Sequence, residues 1–204
     1  MASALARAKL ARTARVLNAR SHPFLPALIL MTDQNRLLDT VLAARLLPEG
    51  SAIILRHTDE AARALLAKAL KPVAREKRLM VVIAGDAKLA DDIGADGLHL
   101  PEARAREAAH WKSLRPAWLV TAAAHSARAL LIARRSGADA ALLAPAFSTL
   151  SHSDRASFGV VRFRFIAQRA PLPVYALGGV NAHTVQRLAG APLTGIAAIE
   201  GLMP

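Results

Sequence analysis

The feature that most constrains this chain is a unit that recurs from Pro26 onward: a short apolar run, then a longer run rich in Ala, Leu and Arg. The apolar runs are Ala27–Thr32, Ser51–Arg56, Leu79–Ala84, Gly97–Leu100, Trp118–Ala122, Asp139–Leu143, Pro173–Leu177 and Thr194–Ala198. They show no polar alternation, as expected of parallel strands buried on both faces. The intervening runs predict helices over Arg36–Leu47, Glu60–Leu70, Ala87–Ile93, Ala103–Leu114, Ala127–Ser136, Val160–Arg169 and Ala182–Leu188. Strands alternating with helices imply parallel neighbours joined by right-handed crossovers. Eight strands in so short a chain predict a compact α/β fold, the (β/α)8 or TIM barrel.

An internal echo supports the count. Gly94-Ala95-Asp96 and Gly137-Ala138-Asp139 each lead into a strand, two units apart. The glycine suits a helix C-terminus there. After the last strand come Glu200 to Pro204, so the eighth helix is truncated. Residues 1–22 carry Arg7, Lys9, Arg12, Arg15 and Arg20 with no acidic residue. This segment superficially resembles a transit peptide, but it lacks the long apolar centre of a secretory signal. Its Ala and Leu content favours a helix, ended by Ser21-His22-Pro23. The predicted organisation is a basic N-terminal helix or arm over 1–22 and a single barrel over 23–204. The extra helix either covers the wall left bare by the truncated one or lies as a peripheral arm.

Composition narrows the function classes. The apolar fraction of 53% supplies a core, yet no stretch is long and uncharged enough to span a bilayer. Without cysteine there are neither disulfides nor thiolate metal sites, which fits a reducing, cytoplasmic setting. The net charge of +12 raises the question of nucleic acid or anionic lipid. Five Phe, two Trp and one Tyr are too few to interleave with a basic cluster. The reading is therefore an anionic small substrate on a basic surface, with no nucleic-acid or membrane partner; a homodimer is compatible with the chain.

In such a barrel the chemistry sits at the C-terminal ends of the strands. Gly178 and Gly179 follow the seventh strand, where amides and a helix dipole suit a phosphate. Tight strand-to-helix turning explains the same glycines. Arg56 is a natural anion partner, or it pairs with Asp33 or Asp86. Asp86 offers Mg²⁺ a carboxylate, or it caps the helix that follows. His99 follows an apolar run and reads as a hydrogen-bonded structural histidine. His125, after the fifth strand, is placed to move protons near neutral pH. Ser148, Thr149 and His152 lie in a loop that either covers an anionic ligand or is simply solvated.

Taken in order, the strand ends resemble those of the thiamine phosphate synthase / TenI family of (β/α)8 barrels over about residues 26–202. The matching pieces are Leu30-Met31-Thr32-Asp33, Leu55-Arg56, Gly94 through Leu100, His125, Ala144 through Thr149, and Leu177-Gly178-Gly179-Val180. The resemblance implies a small phosphorylated heterocycle as ligand. The family's synthases join an aminopyrimidine diphosphate to a thiazole phosphate and release diphosphate with Mg²⁺. Its TenI branch isomerises a thiazole phosphate carboxylate through the histidine after strand 5. Carried over, Arg56 meets the diphosphate, Gly178 and Gly179 the phosphate, and His125 is the acid–base group. Thr149 and His152 fall in the substrate loop, and Asp86 matches one metal carboxylate. Departures accumulate, however. Gly85 replaces a metal-site Asn, the second metal carboxylate falls near Arg104, and Thr58 and His152 replace lysines. Ile54 replaces a glutamine, Ala123 a serine, and Glu200 stands at a serine position near the phosphate. These changes leave the Mg²⁺ ligand set incomplete. They imply a divergent member: a TenI-like isomerase, a synthase with a rebuilt site, or a non-catalytic phosphate-binding protein.

Overall fold

The computed structural model describes residues 2–34, 39–148 and 157–203. Its strands are β1 (Leu28–Met31), β2 (Ala52–Leu55), β3 (Met80–Ala84), β4 (Gly97–Leu100), β5 (Leu119–Ala124), β6 (Ala140–Leu143), β7 (Val174–Ala176) and β8 (Gly195–Ala198). All pair in parallel with their sequence neighbours, and β8 pairs with β1 in the register Ile29↔Ala197. Closure leaves no free sheet edge.

Successive residues alternate between two apolar environments, which is why the sequence shows no polar alternation. Ile29, Met31, Ala52, Ile54, Val82, Leu142, Tyr175 and Ala197 fill the barrel interior. Leu30, Ile53, Leu55, Val81, Leu98, Val120, Leu143 and Ile196 face the helical layer. The helices are α1 (Ala4–Ala19), α2 (Thr40–Arg45), α3 (Glu60–Lys77), α4 (Ala87–Asp92), α5 (Ala108–Leu114), α6 (Ala127–Arg135) and α7 (Gly159–Gln168). Among the described residues no helix is long and apolar enough to cross a membrane.

The helices depart from expectation in identifiable ways. α3 runs on through Pro72 to Lys77, seven residues past the predicted end; its buried face continues with Val73 and Ala74, which outweighs one missing N–H. The predicted helix over Ala103–Leu114 is split into a 3-10 segment, Glu102–Glu107, and α5. The helix predicted over Ala182–Leu188 shrinks to a 3-10 turn, Val185–Leu188. There Asn181 Oδ1 accepts from the amides of His183 and Thr184 at 2.9 and 3.1 Å. This side-chain turn competes with helix formation. After β8 a 3-10 turn, Glu200–Leu202, stands in place of an eighth helix.

The Gly-Ala-Asp echo proves to be one structural device used twice. Gly94 and Gly137 have φ of 58° and 81°, conformations that suit glycine at a helix end. Asp96 Oδ2 accepts from Val81 N at 2.7 Å, and Asp139 Oδ2 from Val120 N at 2.8 Å. Each aspartate thereby satisfies an amide at the start of the neighbouring strand.

The N-terminal helix fills the gap beside β8. α1 packs on β8, β1 and the closing 3-10 turn through Leu10, Ala14, Leu17 and Asn18. Asn18 is the fastener: its Nδ2 lies 2.9, 3.0 and 2.8 Å from the carbonyl oxygens of His22, Leu25 and Thr194. Tyr175 closes the same end from inside, donating to Pro26 O at 2.7 Å. Burial pushes its phenol above the ordinary range.

Candidate active site

At the opposite end the strands open into a cavity of about 500 Å³, a volume suited to a small molecule. Met31, Ala84, Ala123, Leu142, Leu177 and Ile199 give it apolar walls, while Arg56, His57, Arg63, His99 and His125 contribute polar groups.

The β1–β3 side carries the positive charge. Thr32 Oγ1 accepts from Arg56 N at 2.9 Å and meets His57 Nδ1 at 3.2 Å, tying β1 to the end of β2. Arg56 lines the cavity and its Nη2 donates to Asp33 Oδ2 at 2.8 Å. The salt-bridge alternative is thus real, with Asp33 and not Asp86 as the partner. Burial holds His57 below its ordinary pKa; Asp33 opposes that shift and Arg63 adds to it.

Arg63 comes from the first turn of α3, where Asp59 caps the helix by accepting from Ala62 N at 2.8 Å. Its Nη2 donates to Asp86 Oδ2 at 2.6 Å, and its Nη1 to His57 O at 3.1 Å. Its Nε is buried and has no acceptor among the described residues. A charged donor left in that state is costly.

Asp86, the candidate metal carboxylate, is fully engaged. Its Oδ1 accepts from Leu89 N at 2.9 Å as the cap of α4, and its Oδ2 holds Arg63. The neighbouring Gly85 carbonyl accepts from Arg104 Nη1 at 2.7 Å, and Arg104 also grips Glu107 with two bonds of 2.7 Å. Mg²⁺ requires several hard oxygens free to turn toward it. Here those oxygens point at N–H groups, and two guanidinium ions stand beside Asp86. The residues do not fit Mg²⁺. Among the described residues, no group of three or more His, Asp or Glu could hold a metal ion.

The β4–β5 side carries an acid–base pair. Glu102, just past β4, accepts through Oε2 from His125 N at 2.7 Å and meets His125 Nδ1 at 2.8 Å. A carboxylate oxygen accepts, so Nδ1 carries the hydrogen and the lone pair falls on Nε2. His125 is about one-third exposed, at the cavity wall. His99 differs: it is buried inside the barrel opposite Thr121, 2.9 Å from that hydroxyl. Burial, reinforced by Arg56, pushes its pKa down to about 4, so it stays neutral near pH 7.

The double glycine has a packing cause. Gly178 and Gly179 have φ of 92° and 64°. A Cβ on Gly178 would lie 2.8 Å from Pro145 Cα, and one on Gly179 would lie 2.5 Å from Ser148 O. Gly178 lines the cavity, and the loop after β6 presses on both residues. The turn explanation therefore has direct support. Glu200 is exposed, and its neighbour Ile199 faces the cavity. Thr149 and His152 lie outside the described residues.

Sequence reasoning passed over Arg63 and placed His57 and Glu102 at strand ends without a role. Arg63 carries a recoverable signal, since a first-turn helix residue lies at the catalytic rim of such a barrel. His57 and Glu102 stand at strand ends, but their roles depend on partners from adjacent strands.

Comparison with known proteins agrees with the strand-end pattern. The profile of the thiamine monophosphate synthase family matches residues 28–202. The thiamine-phosphate synthase of Bordetella bronchiseptica is 33% identical over 182 residues, covering 83% of this chain and 82% of that protein. The thiamine-phosphate synthase of Pyrococcus furiosus is 29% identical over 181 residues, covering 86% of each chain. A solved thiamine phosphate pyrophosphorylase from Pyrococcus furiosus superposes with a TM-score of 0.70 at 24% identity, covering 90% of this chain and 87% of that one. At that identity the structural likeness speaks to the fold alone.

Proposed function

The chain belongs to the thiamine monophosphate synthase family, and we propose that its barrel binds a thiazole phosphate and moves a proton on it with His125. The observation that carries this reading is the 2.8 Å contact between His125 Nδ1 and Glu102 at the wall of the cavity. Moving a ring proton from one position to another needs a base that later returns what it took. One imidazole does both, and the ring gains and loses nothing overall. Glu102 fixes the tautomer that presents Nε2 as the base and stabilises the imidazolium formed in between. The apolar walls suit a heteroaromatic ring, and Arg56 and Arg63 suit its phosphate.

The synthase reading draws support from the relatives, which carry the name thiamine-phosphate synthase. It asks the site to stabilise a departing diphosphate, which in the family's synthases is done with Mg²⁺. The oxygens around Asp86 are already committed to N–H donors, and this favours proton transfer over diphosphate displacement.

The test is isomerisation of a thiazole phosphate carboxylate, followed by the change in ring absorbance. His125→Asn should lose roughly 10²–10⁴-fold in kcat. Diphosphate release from the two synthase substrates, at a rate unaffected by His125→Asn, would overturn the proposal in favour of synthase chemistry.

A further inference from the structure

We infer that this chain holds its anionic ligand with Arg63 where a metal ion would otherwise stand, and that Asp86 is an internal competitor for that arginine. The inference rests on the reading of the cavity as a site for a phosphorylated ring, and it specifies how the charge is bound. Three observations carry it.

The first is the state of Arg63. It lines the cavity, its side chain is 12% exposed, and it is a permanent cation. Its bonds to Asp86 Oδ2 and His57 O leave the buried Nε without an acceptor. A phosphate oxygen entering from the cavity adds an acceptor to a guanidinium that the protein leaves incompletely paired. Arg56, on the same wall, adds a second guanidinium, with Asp33 as its own provisional partner.

The second is the state of Asp86. One carboxylate oxygen caps α4 and the other neutralises Arg63 at 2.6 Å. This carboxylate sits where an incoming anion would gather the same N–H groups, so ligand and carboxylate compete for one cation. The third is Arg104, whose guanidinium holds the Gly85 carbonyl at 2.7 Å. Paired with Glu107, it commits that carbonyl oxygen and brings no free carboxylate to a place where a metal site needs one.

A metal site and an arginine site make opposite predictions for one conservative change. Asp86→Asn keeps the helix cap, because asparagine caps as well as aspartate, but it removes the carboxylate charge. Were Asp86 a metal ligand, the change would abolish anion binding. With Arg63 as the cation, it releases the arginine and strengthens binding.

The experiment is isothermal titration of the full chain with inorganic diphosphate, in EDTA and again in excess Mg²⁺. The expected results are binding in EDTA within about twofold of that in Mg²⁺, and roughly five- to tenfold tighter binding by Asp86→Asn. The double variant Arg63→Met/Asp86→Asn, which leaves no unpaired charge, should bind at least tenfold more weakly than Asp86→Asn. Thermal melting of each variant confirms that it is folded. Binding that appears only with Mg²⁺, weaker binding by Asp86→Asn, or no binding by the unaltered chain in either buffer would each overturn the inference. Metal-free diphosphate binding without thiazole turnover would sink the proposed function and leave this inference standing. Thiazole isomerisation by a chain that binds diphosphate only with Mg²⁺ would do the reverse.

Discussion

The two rims of the barrel are built from the same eight strands and spend their polar groups in opposite ways. At the N-terminal rim the fastening groups have fixed protein partners: Asn18 bridges three carbonyls, Tyr175 meets Pro26 O, and Asp96 and Asp139 hold strand amides. At the C-terminal rim the groups are paired provisionally, around an open cavity: Arg56 with Asp33, Arg63 with Asp86, His125 with Glu102. The closed rim holds the barrel shut, and on the proposed reading the open one keeps charges in place that a ligand can redirect. This division of labour is the general rule for such barrels, here expressed in named side chains.

The contrast can be broken at several points. The largest effect is expected from Gly195→Ala at the closed rim. The added Cβ would lie 2.0 Å from Ala27 O, just before the strand with which β8 closes the barrel. A loss of about 3 kcal/mol in urea unfolding is expected. Stability within error of the unaltered chain would show that β1 and β8 can separate freely there. Next comes Asn18→Ala, which removes the side-chain donor that three carbonyls share, His22 O keeping Leu25 N, and should cost about 2 kcal/mol. Ligand binding by the folded fraction should be unchanged.

An effect graded with pH, small near neutrality, comes from His99, between the two rims. Its folded-state pKa of about 4 lies below the ordinary 6.5. Below pH 6.5 the unfolded chain therefore takes up a proton that the folded chain refuses. The stabilisation is complete above pH 6.5 and is lost as pH falls toward 4, by about 1.4 kcal/mol per pH unit. His99→Gln should flatten that part of the stability–pH curve; an unchanged slope would assign it to other groups. The smallest effect on stability is expected at the open rim. Glu102→Gln alters a pair exposed by 35% and 42%, so unfolding should move by less than about 0.5 kcal/mol. Turnover and its pH profile should change regardless. A stability loss as large as that of Asn18→Ala would make the pair a structural one.

The fold was legible because its signal is repeated. Eight apolar runs and two Gly-Ala-Asp leads each report the same unit, and a misplaced helix end does not disturb the count. The site was legible in part. His125, Arg56 and Gly178 fall on the cavity because position at a strand end suffices to put them there. The place of Arg63 at the rim is readable from its position in the first turn of α3, but its reach to Asp86, beyond the next strand, has no signature in spacing. Asp86 shows the converse: residue type and place suggested a metal ligand, while its actual neighbours are Leu89 N and an arginine.

What the sequence by itself determined is the order and kind of the elements, and with them which residues stand at the mouth. Apolar period and glycine placement are local properties, and a barrel converts order along the chain into order around a ring. The tertiary structure decided how the charges are paired. Arg56, Arg63 and Arg104 are equivalent as letters, and each found its carboxylate or carbonyl partner three to twenty-three residues away. Electrostatic interaction falls off with distance in space, not along the chain, so closure of the barrel had to come first.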